Sequence, residues 1–134
     1  MSVYLDSSAL LAWHIDGAAR DVVHDVLSRD ATWCASAIAL TEALAAVTRL
    51  TDDDVLRREF EDNIRHSWDF VHIVPLDQRC LDDAVELMST QPIGVSTALH
   101  LVSARRLPAD VTYVTFDAAH IPVALSLGFD VVSG

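Results

Sequence analysis

Val111-Thr112-Tyr113-Val114-Thr115-Phe116-Asp117 is the stretch that decides the fold. Its β-branched and aromatic residues are strand formers, and the run shows no strict alternation of apolar with charged positions. Such a run predicts a strand over 111–116 that is buried on both faces, as in a parallel sheet. The run closes on a carboxylate, Asp117, at its carboxyl end. Beyond it the pattern predicts a helix to about 127, a turn at Gly128 and a last strand over 130–132.

The same grammar repeats upstream. A short apolar run at 2–5 leads into Asp6-Ser7-Ser8, where Ser7 or Ser8 can cap a following helix. A second helix is expected over 18–27 and a brief buried strand over 32–35. Ser36 then caps an Ala/Leu-rich helix to about 50. Asp52-Asp53-Asp54 opens a helix to about 68, and 70–74 reads as a strand stopped by Pro75. Leu76-Asp77 opens a helix to about 88, and Gly94-Val95-Ser96-Thr97 opens another over 96–106. Strands alternating with helices predict an α/β fold whose parallel sheet is covered on both faces. In such sheets, sites form beyond the carboxyl ends of the strands.

With 134 residues and no repeat, low-complexity tract or Pro/Gly-rich linker, the chain reads as one domain over 1–134. Half of it is hydrophobic, which argues against disorder. No apolar run approaches the ~20 residues of a membrane span. The amino terminus lacks a basic leader, and Cys34 and Cys80 have no metal-ligand spacing, so a cytoplasmic protein with reduced thiols and no membrane association is expected.

The net charge is −11, with nine arginines and no lysine. Without lysine there is no P-loop, no Schiff-base lysine and no lysine general base. An acidic surface also repels nucleic acid at long range. Nucleic-acid chemistry here therefore needs a metal ion or a local arginine patch, and the acidity suits a basic protein partner.

Most acids sit among arginines or in charged helix faces; three do not. Asp6, Glu42 and Asp117 each stand in sequence that otherwise reads as buried, with no nearby arginine except Arg49, seven residues after Glu42. An unpaired buried carboxylate costs several kcal/mol or takes up a proton, so each needs a partner. Asp6 and Asp117 directly follow predicted strands and so share one rim of the sheet. Glu42 falls in the second turn of its helix, whose small residues Ala45 and Ala46 allow a close approach. A hard cation such as Mg²⁺ or Mn²⁺ is the economical common partner for oxygen ligands.

Four segments then fall in register: Tyr4-Leu5-Asp6-Ser7-Ser8-Ala9-Leu10-Leu11, Thr41-Glu42-Ala43-Leu44, Ala98-Leu99-His100-Leu101 and Val114-Thr115-Phe116-Asp117. In order and spacing they resemble the successive motifs of PIN-domain ribonucleases, and most nearly the VapC-type toxins of bacterial toxin–antitoxin pairs. The resemblance spans essentially the whole chain. It implies a PIN-like three-layer fold with a central parallel sheet of about four to five strands flanked by helices. It implies cleavage of an RNA substrate by a metal-activated water, with Mg²⁺ or Mn²⁺ held by Asp6, Glu42 and Asp117 as first, second and fourth acids. Ser7 or Ser8 would support the site through a hydroxyl. It also implies a cognate antitoxin protein that wraps the toxin and places a basic side chain in the acidic site, and a homodimer.

One element of the family pattern is missing. An aspartate usually precedes the Ala98-Leu99-His100-Leu101 segment, and here that position is Thr97. A threonine hydroxyl can hold a water or touch an ion weakly, but it adds no charge. Three acids in place of four predict weaker metal binding and reduced activity, or a module that mainly binds antitoxin or RNA.

Rival readings fare poorly. Gly94-Val95-Ser96-Thr97-Ala98 only partly matches a nucleophile elbow, and a receiver-like phosphoacceptor domain needs the lysine this chain lacks. His100, on an apolar helix, reads as a satisfied core histidine.

Overall fold

The computed structural model describes residues 1–134. Its elements run β1 (Ser2–Leu5), α1 (Ser7–Ala12), α2 (Ala18–Arg29), β2 (Trp33–Ser36), α3 (Ile38–Leu50) and α4 (Asp54–Trp68). They continue with β3 (His72–Val74), α5 (Gln78–Thr90), α6 (Val95–Arg105), β4 (Val111–Val114), α7 (Ile121–Ser126) and β5 (Asp130–Val132). Every strand pairing is parallel, in the order β3-β2-β1-β4-β5. The expected α/β sheet flanked by helices is therefore present.

The central position of β1 explains its composition. All four of its residues are buried, because helices cover both faces and strands both edges. Its side chains divide by parity. Tyr4, with Tyr113 of β4, belongs to the cluster built by α5, α6 and α7. Val3, Leu5 and Val114 belong to the opposite cluster with α1 and α2, while Ala35 and α3–α4 form a third. The register sets Tyr4 opposite Tyr113, and their rings stack at 5.1 Å. It also sets Leu5 opposite Val114, so the next residues, Asp6 and Thr115, leave the sheet side by side.

Several predicted boundaries shift, each for a local reason. The strand at 111–116 ends at Val114, since the Thr115 hydroxyl turns to Asp6 and the Phe116 N–H to Ser8. The strand expected from 70 starts at His72, because the N–H groups of Phe70 and Val71 close the end of α4 on Ser67 and Trp68. Ser36 finishes β2, and its hydroxyl accepts from the first N–H of α3, that of Ile38, at 3.4 Å, with Ala37 standing between them. Asp53 does cap α4, through Val55 and Leu56 N–H. The turn at Gly128 is present, with φ +89°, a conformation that favours glycine. Cys34 and Cys80 are buried free thiols, and no helix is long and apolar enough to cross a membrane.

Candidate active site

The rim beyond β1 and β4 is built first by Asp6. Expected to be followed by a serine cap, it is itself the cap of α1. Its Oδ1 accepts from the Ala9 N–H at 2.9 Å and the Ser8 hydroxyl at 2.6 Å. Its Oδ2 accepts from the Thr115 hydroxyl at 2.5 Å. Ser8 in turn accepts from Phe116 N–H at 2.9 Å, which stitches the exit of β1 to the exit of β4. Ser7 makes no such contact; the serine hydroxyl bonded to Asp6 is that of Ser8. Asp6 is 1 % exposed, so its charge is answered inside the protein.

Glu42 approaches from α3. Its Oε1 lies 2.6 Å from His100 Nε2 and its Oε2 accepts from the Ser96 hydroxyl at 2.5 Å. Ser96 and His100 stand four apart on α6, so one helix face presents both donors to one carboxylate. His100 is fully buried, and its Nδ1 meets the Tyr4 hydroxyl at 2.7 Å. Burial pushes the Glu42 carboxyl up, but the bonds from His100 and Ser96 outweigh that and hold it below its ordinary value. The expectation of a satisfied core histidine is met, with a consequence unforeseen: it is the partner of Glu42.

Asp117 is the open member. Its side chain is 53 % exposed, its Oδ1 accepts from Ala119 N–H at 3.0 Å, and its Oδ2 lies 3.7 Å from His120 Nε2. His120, just before α7, stands between the acids of β1 and β4. Its Nδ1 is 2.8 Å from the Tyr113 hydroxyl and 3.3 Å from Asp6 Oδ2, while its Nε2 is 3.4 Å from the Thr97 hydroxyl. Burial lowers its pKa, against the pull of Asp6 in the opposite direction. Burial likewise raises the hydroxyls of Tyr4 and Tyr113, so both remain neutral hydrogen-bonding groups.

The structure thus brings Asp6, Asp117 and Thr97 around His120, and sets Glu42 in an adjoining corner with Ser96 and His100. The two imidazole rings lie 5.8 Å apart. No three His, Cys, Asp or Glu side chains are grouped so as to hold one ion. Sequence reasoning singled out the acids but did not connect them with Ser96, Thr115, His120 or His100. Only the four-residue spacing of Ser96 and His100 on one helix signalled a shared target.

The PIN domain family model matches residues 3–134.

The chain belongs to the PIN domain family.

No curated protein matches it by sequence. Solved structures of similar shape include a sarcin–ricin loop cleaving toxin, VapC20 of Mycobacterium tuberculosis, with TM-score 0.73 at 13 % identity over 95 % of each chain. The FitAcB structure from Neisseria gonorrhoeae has TM-score 0.73 at 16 % identity, over 98 % of this chain and 95 % of that one. A toxin–antitoxin complex from Klebsiella pneumoniae has TM-score 0.68 at 16 % identity, over 97 % of this chain and 95 % of that one. At these identities the likeness establishes the PIN fold.

Proposed function

We propose that this PIN domain, working as one unit over 1–134, is the toxin of a toxin–antitoxin pair and cleaves RNA endonucleolytically with the help of a divalent cation. The observation that carries the reading is the placement of Asp6 and Asp117 on either side of His120 at the carboxyl rim of neighbouring strands, with Glu42 in the next corner. Structural neighbours that are toxin–antitoxin assemblies support the partner, as does the −11 charge, which suits a basic antitoxin. Reduced thiols favour the cytoplasm, and a homodimer is the assembly we expect.

As placed, no three carboxylate, imidazole or thiol groups converge on one ion, and the half-exposed Asp117 would have to turn inward to join Asp6 and Glu42. Asp6, Glu42 and Asp117 would hold the ion, with Thr97 and the hydroxyls at 7 and 8 in support. When bound, the ion supplies positive charge to a phosphodiester and acidifies the attacking water. The protein's own part is orientation. Three donors fix Asp6, and His100 with Ser96 keeps Glu42 ionised in one rotamer. Asp117, the exposed acid, would be the one an RNA phosphate meets first.

A second reading has its own observation. Thr97, where the family carries an acid, offers only a hydroxyl 3.4 Å from His120, which favours a weakened enzyme that chiefly binds antitoxin or RNA. Cleavage of RNA by the native protein, Asp6→Ala and Thr97→Asp, each in Mg²⁺ and in Mn²⁺, separates the two. Native activity well above Asp6→Ala supports the enzyme. Native activity equal to Asp6→Ala, with a gain in Thr97→Asp, supports the binding module and sinks the first reading.

A further inference from the structure

One buried hydroxyl reaches the Glu42 corner from within the sheet. Tyr4, on the central strand β1, is fully buried, and its hydroxyl lies 2.7 Å from His100 Nδ1. Ser36 and Ser103 stand near the phenol oxygen, but the one short hydrogen bond of the hydroxyl is to His100. The protons along this chain follow by elimination. A neutral imidazole has one N–H and one lone pair. Glu42, ionised, only accepts, so His100 Nε2, 2.6 Å from Oε1, carries the N–H. Nδ1 is then the lone pair, and Tyr4 is its donor. An imidazolium with N–H on both sides would leave the buried Tyr4 O–H without an acceptor, which is costly at that depth. The chain therefore has one direction, from the Tyr4 O–H through the ring to the carboxylate.

We propose that Tyr4 is a positioning residue for Glu42: its hydroxyl holds His100 in the Nε2–H form and in one ring orientation, so that the carboxylate always meets a fixed donor. The inference rests on the reading of Glu42 as a working acid of the rim, and it adds the group that orients that acid through an imidazole. Without the hydroxyl, the contact with Glu42 is the only hydrogen bond left to the ring, and nothing polar fixes its inner edge. Tyr113 does not share the role. Its ring stacks on Tyr4 at 5.1 Å, but its hydroxyl goes to His120 at 2.8 Å. The two tyrosines are thus matched in packing and separate in what they orient, which makes each the control for the other.

The first test needs no substrate. Long-range ¹H–¹⁵N NMR of the whole chain at neutral pH reads which ring nitrogen of His100 holds a proton. Native protein should show a proton on Nε2, none on Nδ1, and a slowly exchanging Tyr4 hydroxyl proton coupled to Nδ1. Tyr4→Phe should move the Nδ1 signal of His100 and the carboxyl carbon signal of Glu42, whereas Tyr113→Phe should leave both in place. In cleavage of a labelled single-stranded RNA, Tyr4→Phe should lower kcat about tenfold, the cost of a loosened acid, and leave KM within a factor of about two. A proton on Nδ1 in the native protein, Tyr4→Phe signals that match the native ones, or an unchanged kcat in an active enzyme overturns the inference. If the native protein cleaves no RNA, the nuclease reading falls, and the NMR signals alone decide whether Tyr4 orients Glu42. Should Tyr4→Phe fail to fold, the position of the protons in the native protein still decides.

Discussion

The corner built by Glu42 and His100 and the corner built by Asp6, Asp117 and His120 start from the same problem and solve it differently. Each must accommodate carboxylate charge at the sheet rim in a chain that has no lysine. At Glu42 the answer is closed: two short bonds to the carboxylate, and an imidazole satisfied at both nitrogens. At Asp6 the carboxylate is also satisfied, by three donors, but the imidazole next to it holds its Nε2 only through a long 3.4 Å contact to the Thr97 hydroxyl and faces an exposed acid. The difference teaches where rigidity ends and chemistry begins. Short, saturated hydrogen bonds hold a geometry, whereas a long contact beside an exposed acid holds it loosely.

The sharpest way to break the comparison is to remove each imidazole in turn and measure stability by chemical denaturation. His100→Leu strands the Tyr4 hydroxyl and takes the main partner from Glu42, which is 26 % exposed. Breaking a buried charge-assisted pair by removing one member costs about 3 kcal/mol or more, reduced here by the partial exposure of Glu42 to about 2–3 kcal/mol. Unfolding midpoints that match the native protein would show that the closed corner does not hold the rim.

His120→Phe should cost less, about 1 kcal/mol, because Asp6 keeps its three other donors and only the Tyr113 hydroxyl and, at a longer distance, the Thr97 hydroxyl lose a partner. The ordering of the two variants is the prediction. If His120→Phe proves the more damaging, His120 is the structural post of the rim and the Glu42 corner is the looser one.

Acidification sharpens the same contrast. Glu42 is held below its ordinary pKa by His100 and Ser96, against the opposing push of burial. A carboxyl lowered in the folded state adds stability above its unfolded value, and that stability is lost as pH falls through the folded one. Native protein should therefore lose an increment of stability below pH about 4.5. Ser96→Ala, which removes one of the two donors, should make that increment smaller. Identical acid transitions for the two proteins would mean that the Ser96 contact carries nothing.

How much of this was legible depended on sequence distance. The strand at 111–116 and its terminal acid could be read because β-branched residues and a charge at a run's end are local signals. The ladder's end at Val114 could not, since it is set by Ser8, more than a hundred residues away, taking the N–H of Phe116. The isolation of Asp6, Glu42 and Asp117 was equally local and equally readable. Their partners were not: His100 meets Glu42 across 58 positions and Thr115 meets Asp6 across 109. Lone acids implied a cation because no arginine stood near in sequence. The fold also brings hydroxyls and imidazoles to them, residues that composition counts as bland.

A third histidine extends the comparison to its weakest case. His14, at the end of α1 and stacked on Trp13 at 5.4 Å, has a buried Nε2 with no hydrogen-bond partner. Burial, with the nearby charges of Arg20 and His24, lowers its pKa to about 4 from 6.5. The folded state thus holds it neutral while the unfolded chain takes up a proton below pH 6.5. Its contribution is full above that value and falls away as pH drops toward about 4. His14→Phe keeps a ring against Trp13 and removes the unpaired nitrogen, so it should stabilise the protein slightly at neutral pH, by under about 1 kcal/mol given the half-exposed position. The larger signature is in slope: between pH 6.5 and 4 the variant should lose less stability than the native protein. Thermal melts across that interval measure it, and parallel curves would mean that the imidazole of His14 finds a partner in solution after all.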